Sequence, residues 1–318
     1  VRLSTAAGAP LAARPAFCED LHMTRTAAPP HRAIPRGPVR RTRRRWRRAG
    51  GATLTGLVVV ALAGVGIAVT EHVAHGPADA QCTVTGSGLT YDLTPEQAGN
   101  AAIISAVALR EALPHHAVTI ALATALQESK LRNLDYGDRD SLGLFQQRPS
   151  EGWGTAAEVS DPNYASAAFY RALVKLPHWQ SDDVATAAQD VQRSADGAAY
   201  ESWEGEARAL AIALTGEQPA ALACSGGTLS TAHATTSSSA AAVSSALTAA
   251  LGPDALSPGT NTGLGQAASA WLVAASQADG IVAVAYDGHQ WSAARGSWVA
   301  DPAAGGTVTF RLARPTAA

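Results

Sequence analysis

From residue 94 to about residue 215 the apolar positions recur with helical spacing, and each run opens on a capping residue. Thr94-Pro95-Glu96-Gln97 combines a capping threonine, a proline at the first helical position and a glutamine placed for a capping box. It predicts a helix to about Leu113, broken by Pro114-His115-His116. Ala117 to about Leu131 is the next helix, apolar on nearly every side, which predicts burial in the middle of its domain. Asp161-Pro162 caps a helix carrying Tyr164, Phe169 and Leu173. Ser181-Asp182-Asp183 opens a fourth, and Ala198 to about Thr215 forms a fifth. No alternating strand run is expected between Thr94 and Thr215. The rhythm then changes. Residues 225–258, rich in Ser, Thr and Ala, read as a spacer. Beyond it, Gln266 to Ala278 predicts a helix with Trp271 and Val273 inward. Ile281 to Tyr286 predicts a strand ending in the hairpin turn Asp287-Gly288, and Thr307 to Leu312 a further strand.

One earlier stretch is long, apolar and uncharged. Residues 49–70 number 22, about 33 Å as a helix, against a hydrocarbon core of roughly 30 Å. Ten arginines lie between Arg25 and Arg48 on one flank only. A one-sided basic flank predicts a cytoplasmic tail (residues 1–48) and a single transmembrane anchor, with everything from Glu71 onward outside. The expected localisation is therefore a single-pass cell-membrane protein. The alternative is a cleaved signal peptide with a processing site near Ala78-Asp79-Ala80. The lone methionine, Met23, suggests that residues 1–22 are not translated. Abutment to a spanning segment makes topology, rather than nucleic-acid binding, the reading of the arginine run.

Composition sharpens the division. The chain of 318 residues is 47% hydrophobic and 16% charged, enough for a buried core. Its net charge of −2 hides an asymmetry: residues 1–48 hold twelve arginines against Glu19 and Asp20, and the remainder holds 12 basic and 24 acidic side chains. Cys82 and Cys224 bracket the helical region. In an oxidising compartment such a pair is most simply a disulfide, two free thiols being the alternative. No His-Glu-x-x-His or paired Cys-x-x-Cys run and no Gly-x-Ser-x-Gly elbow is present, so no metal or cofactor is expected. Gly263-x-Gly265-x-x-Ala268 follows no strand and is read as a chance match to a dinucleotide fingerprint.

The candidate chemistry lies at the end of the apolar helix, in Gln127-Glu128-Ser129. A carboxylate in the last turn meets the negative end of the helix dipole, and burial disfavours its charge. The position suits an acid that keeps its proton, as cleavage of a glycosidic bond requires. On the residues alone it equally suits a glutamate that turns to solvent as the helix surfaces.

Glu128-Ser129 followed by Ser141-Leu142-Gly143-Leu144-Phe145-Gln146 resembles the paired signature of lytic transglycosylases. Gln147-Arg148-Pro149, Gly152-Trp153-Gly154, Val191-Gln192-Arg193-Ser194 and Ala199-Tyr200 are similar to further pieces of lysozyme-like domains of actinobacterial wall proteins. The likeness covers roughly Leu93 to Cys224. It implies a mainly α fold: a lysozyme-like helical domain (82–224), preceded by the transmembrane helix and followed by a small α+β domain (259–318) of unknown role. It implies Glu128 as the catalytic acid on peptidoglycan glycan strands, with Ser129, Ser141 and Gln146 orienting the acid or the substrate's acetamido groups and Tyr200 a late tyrosine near the cleft, on the substrate-binding side. Trp153 is expected to stack on a sugar, with Phe145 and Trp203 as further aromatics of that kind. A hydrolytic route would need a second carboxylate, for which Asp135, Asp138 and Asp140 lie in the right loop. The rival reading is a catalytically silent module of the same fold that binds glycan or recruits a wall enzyme; protein partners are not legible.

Overall fold

The structure, a computed structural model, describes residues 80–193, 198–225 and 238–314. Two expectations need correction. Among the described residues no helix is long and apolar enough to cross a membrane, which conflicts with the expected transmembrane helix and single-pass assignment. The stretch 49–70 on which it was placed, the arginine-rich tail and the processing site at 78–79 lie outside the described residues. Nor is the fold mainly α: about 47% of the described residues are helical and 16% lie in strands, in two antiparallel sheets, which makes it α+β.

The first sheet frames the helical body. β1 (Gln81–Gly86) and β2 (Leu89–Leu93) form a hairpin through Ser87 and Gly88, both at positive φ. β1 buries Cys82, Val84 and Gly86 and turns Gln81 and Thr85 outward, the period of a half-buried strand. β3 (Leu222–Ser225) closes the sheet on the other side of β1, in the order β2-β1-β3. Cys82 and Cys224 stand opposite each other in that pairing and form a disulfide. Closing a loop of 142 residues stabilises the fold by about 5 kcal/mol in the chain-entropy model.

Between β2 and β3 run the helices. α1 (Pro95–Arg110) starts at the anticipated capping box: Thr94 Oγ1 accepts from the Gln97 amide, and Gln97 Oε1 accepts from the Thr94 amide at 2.8 Å. α2 (His115–Ser129) is the central helix, with every residue from Ala117 to Leu126 buried among α1, α4, α5 and α7. α3 (Ala156–Val159), α4 (Pro162–Leu173) and α5 (Val184–Gln192) start on Thr155, Asp161 and Asp183, each of which accepts from an amide of its own first turn. The single helix expected from Ala198 to Thr215 is two, α6 (Ala198–Glu201) and α7 (Glu204–Leu214), parted at Ser202-Trp203.

The stretch expected to be a spacer contains a helix in its described part. α8 (Ala240–Leu251) places Val243, Leu247 and Leu251 on one buried stripe, packed against α1 and α9. α9 (Thr262–Ala274) begins a turn earlier than anticipated, with Val273 buried and Trp271 half-buried. α10 (Ser276–Asp279) leads into β4 (Ile281–Tyr286), β5 (His289–Ser292), β6 (Ser297–Ala300) and β7 (Thr309–Leu312), ordered β6-β5-β4-β7. Asp287-Gly288 is the β4–β5 turn, at positive φ as the hairpin requires. This second sheet rests on the first. The indole of fully buried Trp291 donates to the Cys224 carbonyl at 3.1 Å, and that of Trp298 to the Leu222 carbonyl at 2.7 Å. On the other flank Gly216 meets Gly263 so closely that a Cβ on Gly216 would stand 2.0 Å from the Gly263 carbonyl oxygen.

Candidate functional site

Glu128 occupies the last turn of α2, where the apolar helix reaches the surface. Lys130 and Leu131 both adopt positive φ, and their amides return to the carbonyls of Leu126 and Ala125 at 3.1 Å. This left-handed stop ends α2 abruptly. Three successive side chains then diverge. Gln127 accepts from the Trp203 indole at 2.7 Å; Ser129 turns into the core; Glu128 lines a groove of about 910 Å³.

The Gly143-Leu144-Phe145-Gln146 segment is the tip of a tight loop closed by paired backbone hydrogen bonds between Leu142 and Gln147, each 3.0 Å. Ser129 Oγ donates to the Leu144 carbonyl at 2.8 Å, with the Ala125 carbonyl 3.1 Å away, and Gln192 Nε2 of α5 donates to the Phe145 carbonyl at 2.8 Å. Two helices therefore fix the loop beside Glu128. Gly143 has φ +76, and a Cβ there would lie 2.2 Å from the Val159 carbonyl oxygen, so both conformation and space demand glycine. Gln146 lines the groove, and its amide nitrogen reaches the Tyr136 and Gly143 carbonyls at 3.3 Å. Gln147, one residue on, is buried; its Nε2 donates to the Ala165 carbonyl at 3.1 Å while its Oε1 has no hydrogen-bond partner among the described residues.

Tyr200 of α6 is 2% exposed, and its hydroxyl donates to Glu128 Oε1 at 2.8 Å. The carboxylate is thereby held at one oxygen, with the groove beside it. Lys130 sits 3.9 Å over the Trp203 ring, and partial burial lowers its pKa against the opposing charges of Glu128 and Glu206. Glu206 is displaced upward by burial, with Lys130 opposing.

Of the residues anticipated from the sequence, Glu128, Gln146 and Trp153 line the groove together, and Tyr200 touches Glu128. Ser129 and Ser141 are buried behind the loop and do not line it; Ser129 acts on the loop's backbone. Phe145 is fully buried and stacks on Phe169 with centroids 4.7 Å apart, so it is a core residue with no sugar to meet. Trp203 is engaged with Gln127 and Lys130 and lies outside the groove lining.

The loop carboxylates considered for hydrolysis are likewise not groove-lining. Asp140 is a staple: the Ser150 amide donates to it at 2.8 Å, the Ser150 hydroxyl at 2.9 Å and Arg148 at 3.0 Å. The Ser150 amide foremost, with that hydroxyl and Arg148, holds Asp140 at about 2. The groove's other carboxylates are Glu151, paired with Arg148 at 3.0 Å, and Asp190 of α5. Among the described residues no group of three or more His, Cys, Asp or Glu is placed to hold a metal ion.

Sequence reasoning did not reach Gln192 as a loop anchor, or Arg171 and Lys175 as groove residues. A signal existed for the last two: Tyr164, Arg171 and Lys175 fall at i, i+7 and i+11, one face of a helix.

No protein-family model matches this chain, and no curated protein matches it. The likeness to lytic transglycosylases thus rests on the quoted residues alone.

Proposed function

We propose that this protein cleaves the glycan strands of peptidoglycan with Glu128 as its acid, by the lytic transglycosylase route. What supports this is one observation: a glutamate at the end of a buried helix, oriented by a tyrosine hydroxyl, opens into a groove beside a loop that two helices hold in place. Glu128 protonates the oxygen bridging N-acetylmuramic acid and N-acetylglucosamine. The bond to the leaving sugar breaks, and an oxocarbenium-like centre develops on the muramyl residue. The Glu128 carboxylate then takes the proton of that sugar's own 6-hydroxyl, whose oxygen closes on C1 to give a 1,6-anhydro product and restores the acid. Tyr200 keeps the carboxylate aimed through both steps. Trp153 offers an aromatic face in the groove, and Gln146 an amide for an acetamido group.

The single-carboxylate route is favoured over hydrolysis because Asp135, Asp138 and Asp140 do not line the groove and Glu151 is neutralised by Arg148. Asp190 is the carboxylate on which a hydrolytic route would have to draw. The disulfide fits an oxidising compartment, as a wall-directed enzyme needs.

Mass analysis of digested peptidoglycan is the test. Products lighter by one water than muramidase products are expected. Glu128→Gln should reduce their release by about 10²–10⁴-fold, the usual worth of a general acid. Release unchanged by that substitution would overturn the proposal. Glycan binding without cleavage by the unmodified protein would leave a silent binding module.

A further inference from the structure

Four basic side chains against three carboxylates, Glu128, Glu151 and Asp190, line the groove of a chain that is otherwise acidic. Beyond residue 48 the chain holds 12 basic and 24 acidic side chains, yet Arg148, Arg171, Lys175 and Arg193 all line this one groove. Arg148 is neutralised by Asp140 and Glu151. Arg171 and Lys175 are exposed and form no ion pair among the described residues. Their placement is ordered. Tyr164, Ala168, Arg171, Ala172 and Lys175 make one continuous stripe along α4 and the turn that follows it, with the Lys175 amide donating to the Ala172 carbonyl at 3.2 Å. Arg171 lies over the Tyr164 ring at 5.4 Å, and the Tyr164 hydroxyl donates to the Trp153 carbonyl at 3.3 Å. Gly154 admits that ring, since a Cβ there would come within 2.8 Å of it. A guanidinium resting on a clamped ring loses less freedom on binding than a free side chain. Ala168 and Ala172 on the same stripe leave room for a ligand chain along the wall.

We propose that this α4 stripe is a subsite for the peptide side chain of the glycan, with Arg171 and Lys175 binding its free carboxylates. The proposal rests on glycan strands being the substrate of the same groove. Carboxylates are the anions that a peptide substituent on a neutral sugar backbone supplies, and a planar guanidinium receives one through two parallel hydrogen bonds.

Binding to the full-length Glu128→Gln protein, measured by calorimetry, tests it with three probes: a peptide-bearing tetrasaccharide, the same tetrasaccharide without peptide, and the peptide-bearing form with its carboxyls amidated. The first is expected to bind about tenfold more tightly than the others at low salt, an advantage that shrinks as salt screens it. Adding Arg171→Gln and Lys175→Gln should bring the ratio to about one. Equal binding of the three probes, no binding of any, or a preference that survives the double substitution overturns the subsite. Cleavage of the peptide-bearing tetrasaccharide by the unmodified protein is read separately. If that probe stays intact while the carboxylate preference holds, the cleavage proposal falls and the anion subsite stands.

Discussion

Tyr200 and Asp140 show how one hydrogen bond separates a site residue from a structural one. Tyr200 is buried, so Tyr200→Phe keeps the ring in its packing and removes the hydroxyl that donates to Glu128. Without the donor that aims the acid, turnover should fall by about tenfold or more, about 1.4 kcal/mol of barrier, and by more than stability falls. An equal loss of stability would assign the tyrosine to the core alone. Asp140 has the opposite character. Its folded pKa of about 2 lies below the ordinary 3.8, so its contribution is fully present above 3.8 and is lost as pH falls through about 2. The Ser150 amide should therefore stay protected from hydrogen exchange at pH 4 and lose that protection toward pH 2, and Asp140→Asn should remove the difference. Glu128 was singled out by the resemblance that Glu128-Ser129 and the Gly143-to-Gln146 segment carry, since an acid closing an apolar helix by itself suits a solvent-facing glutamate as well. Asp140 was not separable from Asp135 and Asp138, since only the path of the loop brings Ser150 and Arg148 onto it. Arg171 and Lys175 passed unnoticed because exposed charges on a helix ordinarily face water.

At the scale of elements, the helix starts were the most readable feature, because a cap is a local contact. The Thr94–Gln97 box and the Asp161 cap stand where the sequence puts them. What failed was what depends on distant partners. No glycine or proline marks the break at Ser202-Trp203; Trp203 leaves the helical path where its indole meets Gln127 and its ring meets Lys130. β1 and β2 escaped because they are short and poor in large apolar side chains, although Cys82, Val84 and Gly86 alternate inward. α8 was hidden by its Ser/Ala composition, although Val243, Leu247 and Leu251 recur every four residues. The loop beside Glu128 is the element most sensitive to one atom. Gly143→Ala forces a side chain onto the Val159 carbonyl at positive φ and should cost about 2 kcal/mol or more, with glycan cleavage falling further than stability does. Denaturant unfolding alongside muropeptide release would separate the two effects; an unchanged midpoint would show that the loop relaxes freely.

Over the whole molecule, residues 240–312 are continuous with the helical body. Core residues from α1, α7, β3, α8, α9, β4 and β5 belong to one apolar cluster, and Trp291 fills a site fully closed to water. Trp291→Ala should cost about 3–5 kcal/mol, since a large cavity opens against β3 and the Cys224 carbonyl loses its donor. Unfolding should remain one transition, followed equally by signals from the helices near Glu128 and from the second sheet. Two separated transitions would mean that the parts fold independently.

β3 receives β1 on its edge and two indoles on its carbonyls, and it is only four residues long. The strand that opens the described chain pairs with β2 at once but must wait for its second neighbour, which emerges some 140 residues later, after the helices around Glu128. Such distant pairing is slow to find, and the sulfur–sulfur link then makes it permanent. The covalent bond thus acts as a final latch, one that can close only over a body already assembled.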